Sequence, residues 1–448
     1  MKKNKTLKYI LLTIAIICTL LSPIQVLASS YSIPKVQAHA YVVMDANSGK
    51  ILLKKNATKK IYPASTVKLM TAVVALESKN AGKNITTTKK VLSKIPSDAT
   101  MLNIPSGVSY SFNSLLHMLL IASAADAAEI LAAGTYGSTS KFVKEMNTKA
   151  KELNMTHSSF DNTMGLDIGN HYNKTYTTAS DFAILARYAM SKKEIRDIVA
   201  KSTYTIPKTS KTKSKKIKNT NCFFTTESYS KNLYTIIGTK TGTTNAAGKV
   251  LIVTAKDKKG HEVICAFFGN STRSAMYQDI RELLDYTFRS YKNGTISLSK
   301  GFYDTRFTNG EELIRKYYNK GLLSGTEGGE FKPYSKITQE SFITTVNAIS
   351  NAELLVDKSS KKVTILDLAK LLYNTYPLSI TEEECNTMAV NFKSKTTIST
   401  SNLKKLAALY ESNILPDDIT YQVDSYLTKE DMVIIADKMI SFVKSYYN

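Results

Sequence analysis

Three short stretches decide how this chain reads: Ser65-Thr66-Val67-Lys68, Ser123-Ala124-Ala125 and Lys240-Thr241-Gly242, in that order. Pro63-Ala64 leads into an apolar-periodic run from Ser65 to Glu77, and that period predicts a helix. Residues three apart share a helix face, so the Ser65 hydroxyl and the Lys68 amine become neighbours. A serine is a weak nucleophile until a neighbour takes its proton, and a lysine can take it only when burial and nearby cations lower its pKa. Lys240 supplies a cation and Thr241 a hydroxyl. If 238–243 runs as a strand edge along a cleft, the two can hold a substrate carboxylate. Gly242 lets the backbone approach a ligand closely. The three stretches together describe a serine nucleophile with its base attached, arranged for acyl transfer.

Working outward, Tyr41 to Asp45 and Ile51 to Lys54 read as a hairpin around Asn47-Ser48-Gly49. Helical periods follow at Ser65 to Glu77, Phe112 to Ala122, Asp126 to Ala133, Ser140 to Leu153 and Ser180 to Ser191. Strands return at Tyr204 to Ile206, Ile236 to Thr239, Lys249 to Ala255 and Glu262 to Phe268, and Asp279 to Tyr291 closes as a helix. Strands at both ends with helices between them predict an α+β fold, one antiparallel sheet packed by helices.

The motifs and their flanks resemble the serine penicillin-recognising enzymes, and among them the low-molecular-weight D-alanyl-D-alanine carboxypeptidases. The flanks that carry the likeness are Tyr41 through Leu52, Pro63 through Ala72, Ser114 through Ala128, Gly165-Leu166-Asp167 to Asp181, and Gly238 through Gly248. The resemblance implies the β-lactamase/transpeptidase-like fold. It implies Ser65, Lys68 and Ser123 as catalytic residues, and Lys240, Thr241, Gly242 and Thr243 as substrate-binding ones. Ser65 would attack the penultimate D-alanine carbonyl of a peptidoglycan stem peptide, and Lys68 would accept its proton. Ser123 would help to protonate the leaving D-alanine, and water would clear the acyl-enzyme. Helix N-termini favour developing negative charge, so the backbone N–H groups of Ser65 and Thr243 are the expected oxyanion hole. β-Lactams would acylate Ser65 by the same route.

Two positions depart from the family pattern. Ala125 stands where the second motif carries an asparagine that contacts the substrate carbonyl and orders the serine and lysine. Loss of one such contact costs ~1–3 kcal/mol, roughly one to two decades in rate. Met276 stands where relatives carry a carboxylate-binding arginine, with Arg273 nearby as a substitute. A D,D-endopeptidase of shifted specificity and a wall-binding protein with a weakened or inactive site therefore stay open beside the carboxypeptidase. A β-lactamase is disfavoured, since the chain lacks a class A carboxylate motif to drive deacylation.

The first residues place the chain outside the cytoplasm. Lys2, Lys3, Lys5 and Lys8 precede the apolar run Tyr9 to Leu21, and Val26-Leu27-Ala28 is a small-residue cleavage site. This pattern predicts a secretory signal over 1–28, an uncleaved anchor being the alternative, and localisation to the cell wall or the outer face of the membrane. Three of the four cysteines follow the signal, an odd count at irregular spacing that makes neither a disulfide framework nor a metal site. Cys265, within an apolar run, reads as core. Five scattered histidines form no metal-binding cluster. With no phosphate loop either, the expectation is chemistry from side chains alone, without cofactor or metal.

The formal charge of +23 falls to +19 once the four signal lysines leave. An exported basic protein suits anionic wall polymers or membrane surfaces rather than nucleic acid. The lysine block Lys208 to Lys218 reads as a solvated hairpin or loop.

The expected organisation is a signal (1–28), a linker (29–37), a carboxypeptidase-like catalytic domain (38–293), a second linker (294–301) and a repeat region (302–448). Leu313 to Gly325 followed by Ile337-Thr338-Gln339-Glu340 returns in outline as Leu403 to Pro416 followed by Leu427-Thr428-Lys429-Glu430. Val363 to Leu368 is an abbreviated third copy. The pattern resembles S-layer homology modules, which implies binding of anionic secondary wall polymers, although Gln339, Ile365 and Lys429 stand where such modules place an arginine. Thr428 to Tyr447 can be read as a membrane-lying amphipathic helix or as a packed one, and packing is preferred.

Overall fold

The computed structural model describes residues 32–447 apart from 168, 172, 356–358, 378–379, 390–391, 393, 395–396 and 417–421. The expected export segment, 1–28, lies outside the described residues. Five strands make one antiparallel sheet: β1 (Ala40–Asp45), β2 (Ile51–Lys55), β3 (Thr235–Thr244), β4 (Gly248–Lys256) and β5 (Glu262–Asn270), in the order β2-β1-β5-β4-β3.

Alternation sorts the strand side chains onto two faces. In β5, Ile264, Ala266 and Phe268 join one core, while Val263, Cys265 and Phe267 join the other. All residues of β5 are buried, so both faces are covered. The first face carries α1 (Lys68–Glu77), α2 (Phe112–Ile121), α3 (Ala125–Tyr136) and α4 (Ala179–Ala189); the second carries α5 (Arg273–Lys292). β3 is the edge strand opposite β2, and it packs against the short 3-10 turn Ala64–Val67 that precedes α1.

β3 runs to Thr244, beyond the Thr239 end read from periodicity, and carries the Lys240 motif as the strand-edge reading of 238–243 expects. α5 begins at Arg273 rather than Asp279, because the Thr272 hydroxyl accepts the Ala275 N–H and caps the helix early. Neither expected linker is free where it is described. Val36 and Ala38 are buried, and Gln37 N–H donates to Asp279. Ser299 donates to Asp45 and accepts from Asn47. The lysine block forms the second strand of the hairpin Thr203–Ile206 with Lys215–Lys218, with its lysines exposed.

Beyond residue 302 a third core collects α6 (Gln339–Ser350), α7 (Ile365–Thr375) and α8 (Lys429–Tyr446). Each begins at a threonine whose hydroxyl accepts a backbone N–H: Thr338 from Ser341, Thr364 from Asp367 and Thr428 from Asp431. The residues before these caps close a ring. Ile337 N–H donates to Leu427 O (3.1 Å), Leu427 N–H to Val363 O (2.9 Å) and Val363 N–H to Ile337 O (3.1 Å). Met432, Ile435, Met439 and Val443 of α8 are buried in this core, so the helix is packed. No helix among the described residues is long and apolar enough to cross a membrane.

The two regions meet over a buried ion cluster. Arg306 donates to Glu262 at 2.6 Å and to the Asn47 side chain at 2.9 Å, Arg196 reaches the same carboxylate at 3.1 Å, and Arg187 pairs with Glu311. Burial works to raise the Glu262 carboxyl, but the charges and hydrogen bonds of Arg306 and Arg196 outweigh it and hold the group at about 2. A depressed carboxylate stabilises the fold above its unfolded value near 4.5, and that contribution is lost as pH falls towards 2. Arg306→Ala leaves Glu262 short of a partner and should destabilise the protein by about 3 kcal/mol in urea denaturation at neutral pH. Glu262→Gln should flatten the acid limb of the stability profile between pH about 4.5 and 2; an unchanged acid limb would show that the cluster does not couple the two regions.

Candidate active site

The nucleophile turn is set by its neighbours. Ala64 adopts φ 49, an unusual conformation for a residue with a side chain, and Thr66 closes the turn on the Pro63 carbonyl through both N–H and hydroxyl. Gly165 and Gly242 press against this turn. A Cβ on Gly165 would fall 1.8 Å from the Ala64 oxygen, and one on Gly242 would fall 3.1 Å from the Ser65 nitrogen. Glycine at both positions lets two backbones close on Ser65.

Lys68 begins α1 with its side chain fully buried. Its Nζ stands 2.9 Å from Ser65 Oγ and donates to the Met164 carbonyl at 3.1 Å. The Asn162 side chain builds the loop that presents this carbonyl, accepting the N–H groups of Met164, Gly165 and Leu166 at 3.1, 2.7 and 3.0 Å. Burial lowers the Lys68 ammonium to about 7 against the opposing pull of the Asp126 carboxylate. Such an amine is partly neutral near pH 7 and can accept a hydroxyl proton.

Lys240 is 1% exposed, and its Nζ donates to the Thr241 carbonyl at 2.9 Å. Burial and the charge of Lys68 push its ammonium well down. It sits on β3 beside Thr241, close enough to Lys68 to feel its charge. Thr241, Gly242 and Thr243 do line the site.

Two cavities meet at Ser65. One, of about 190 Å³, is lined by Ser123, Thr220, Thr241, Lys249, Arg273 and Met276 among others. The second, of about 200 Å³, takes Lys68, Asp98, Ala125, Asp167, Thr244 and Asn245. Ser65, Thr100 and Thr243 line both. Ser123 holds φ 61 and does not cap α3; Ala124 occupies that position without a side-chain bond. Asp126 instead accepts the N–H groups of Leu102 and Ile104. Ala125 lies at the cavity wall, with its N–H on the Thr100 carbonyl.

Thr100, Thr220, Lys249 and Asn162 were not singled out from sequence. Thr220 accepts the Thr241 hydroxyl at 2.7 Å. The D-N-T-M-G-L-D run around Asn162 carries a turn signal that could have marked its loop; Thr100, Thr220 and Lys249 carry none. Among the described residues no group of three or more His, Cys, Asp or Glu is placed to hold a metal.

A helix-buried lysine beside a serine, facing the edge of an antiparallel sheet, defines the penicillin-recognising serine enzyme fold. The chain resembles a solved D-alanyl-D-alanine carboxypeptidase from Mycobacterium tuberculosis, with a TM-score of 0.51 and 27% identity, over 58% of this chain and 94% of that one. The family profile described as D-alanyl-D-alanine carboxypeptidase matches residues 27–272, more than half of the chain, and the chain belongs to that family. A D-alanyl-D-alanine carboxypeptidase of Bacillus subtilis is 31% identical over 57% of this chain and 63% of its own length. A D-alanyl-D-alanine endopeptidase of Haemophilus influenzae is 32% identical over 53% of this chain and 77% of its own. The match to the Bacillus protein thus spans less than two thirds of that relative.

If Lys68 takes the Ser65 proton, acylation by labelled penicillin should rise with pH through about 7 and level off above it, as the amine loses its own proton. Asp126→Asn removes a carboxylate that favours the ammonium and should move the midpoint down; a pH-independent rate would exclude Lys68 as the base.

Proposed function

We propose that this chain is an exported serine D-Ala-D-Ala carboxypeptidase that trims the terminal D-alanine of peptidoglycan stem peptides through an acyl-enzyme on Ser65. The carrying observation is the 2.9 Å approach of Ser65 Oγ to a buried Lys68 amine. In this reading Ser65 Oγ attacks the carbonyl carbon of the penultimate D-alanine while its proton passes to Lys68. The N–H groups of Ser65 and Thr243 receive the oxyanion. The Ser123 hydroxyl gives a proton to the departing amine and is re-protonated from Lys68. Water then hydrolyses the ester, with Lys68 again as base, and the same serine is the target of β-lactams.

Removal of the second-motif asparagine is tolerable in this geometry because the Met164 carbonyl holds Lys68 without it. The arginine missing at Met276 has a neighbour in kind: Arg273 lines the cavity together with Lys249, and neither forms an ion pair among the described residues. Unpaired cations at that end favour a terminal carboxylate, hence carboxypeptidase over endopeptidase action.

Residues 302–448 are read as three degenerate repeats that attach the enzyme to anionic wall polymer. The ring of three backbone hydrogen bonds before Thr338, Thr364 and Thr428 supports an internal three-fold repeat. Lys429 is engaged on the Phe331 carbonyl at 2.8 Å. A groove of about 800 Å³ in this region bears Glu384, Glu411 and Asp437 against Lys438. The better surface for an anion is therefore the ring end, where Lys332, Lys336, Lys361 and Lys362 are exposed beside Tyr334 and Tyr426.

The mature protein should release D-alanine from a pentapeptide ending in D-Ala-D-Ala, and Ser65→Ala should abolish both release and penicillin labelling. Labelling without release would point to altered specificity, and neither would leave wall binding alone. For the repeats, the full chain should co-sediment with isolated sacculi and not with liposomes, and Lys336→Glu with Lys362→Glu should weaken sedimentation severalfold; undiminished sedimentation would place the contact elsewhere.

A further inference from the structure

The surface beside the cleft carries its charge unevenly. No carboxylate occurs between Glu77 and Asp98, or between Asp197 and Glu227. The first stretch includes Lys89, Lys90 and Lys94, and the second includes Lys208, Lys213, Lys215, Lys216 and Lys218. All of these are exposed, and none makes a side-chain hydrogen bond or ion pair among the described residues. Lysines elsewhere do find carboxylates, as Lys149 and Lys192 do at Glu77 and Lys193 does at Asp197.

The fold joins the two stretches into one rim. The tip of the hairpin is pinned by Lys211, whose Nζ donates to the Ser106 carbonyl at 2.7 Å. The next residue, Gly107, donates its N–H to Thr87 O at 2.9 Å, and Thr88 caps the short helix Lys89–Leu92. Both stretches lead to the cleft: Thr100 follows the first, Thr220 lies in the second, and both line the cavity at Ser65. Strand pairing sets which hairpin side chains face out. Thr205 stands opposite Lys216 and Thr203 opposite Lys218, while Ile206 and Ile217 on the other face are buried. A period of two residues holds Lys216 and Lys218 about 7 Å apart on the outer face, each opposite a threonine. Like charges at that spacing, with no counter-charge of their own, oppose folding, and a bound polyanion removes that cost.

Charge without apolar or aromatic display narrows the partner. None of the large apolar or aromatic side chains exposed among the described residues falls within 78–110 or 198–226. The rim therefore has no platform for stacked bases and no side chain to insert among lipid tails. We propose that this lysine rim binds a polyol-phosphate polymer of the wall, a chain of phosphodiesters without bases, along the edge of the Ser65 cleft. The contact is separate from the one read for residues 302–448, and it does not depend on the chemistry at Ser65.

The test measures binding of the full chain to synthetic poly(glycerol phosphate) over a series of salt concentrations. Lys216→Gln with Lys218→Gln should weaken binding about tenfold near physiological salt. The same pair should lower the slope of log K against log salt by about one per lysine removed. The polymer should also raise the melting temperature of the unmodified chain more than that of the variant. A variant that melts no lower than the unmodified chain without polymer is folded, so its weaker binding reports the contact itself. Unchanged affinity and slope in this variant overturn the rim, and loss of binding in Lys336→Glu with Lys362→Glu alone then assigns the polymer to the later region. Single-stranded DNA of equal charge and phosphatidylglycerol vesicles are the comparison arms, and tighter binding to either than to the polymer overturns the choice of partner.

Discussion

Burial of one ammonium beside one hydroxyl is the constraint on which the rest of this site depends. A lysine in water holds its proton far too tightly to serve as a base at neutral pH. Lys68 escapes this because α1 is almost entirely enclosed between the sheet and its neighbouring helices. Asp126 pulls in the opposite direction. Its carboxylate is kept away from the lysine by other duties: Oδ2 takes the N–H groups of Leu102 and Ile104, and Oδ1 that of Ala127. The base is therefore a product of the whole packing of the first core, which is why a motif of four residues needs a sheet and several helices around it.

Much of this was legible because the signals were local. The period of α1 and the alternation of β4 and β5 follow from one residue's relation to the next, and both appeared where expected. Element ends were less legible. Nothing local to Thr239 stops the chain from remaining extended to Thr244, where pairing with Gly248 closes the hairpin. The early start of α5 depended on Thr272, a cap that only its bond to Ala275 reveals. Site residues brought in from a distance were not legible at all. Thr220 reaches Thr241 across 21 residues and Met164 reaches Lys68 across 96.

The junction between the two regions carries a different kind of information. Glu262 belongs to β5, in the middle of the catalytic sheet, and is answered by Arg196 from the same region and by Arg306 from beyond it. A buried carboxylate with two guanidinium partners demands all three, so the catalytic sheet is electrostatically incomplete without the residues that follow it. The stretch 294–301 is expected as a linker because the texture of the sequence changes after Asn293-Gly294. Its backbone nevertheless bonds to Asp45 and Asn47, in the turn after β1. That turn also receives Arg187, Arg306 and Arg315. The region beyond residue 302 is thus tied to the sheet by buried ion pairs.

The departures from the family pattern are best understood as a redistribution of contacts around Ser65. An asparagine at position 125 would contribute an amide to both the lysine and the substrate. With alanine there, Lys68 is held by the Met164 carbonyl, whose loop is fixed by Asn162. The same loop ends in Asp167, which ties it to β3 through Thr244. One short segment therefore both holds Lys68 and touches β3. On the opposite side Arg273 and Lys249 line the cavity together with Met276. In the proposed carboxypeptidase reading these two cations would hold the terminal carboxylate while Ser65 and Lys68 act on the peptide.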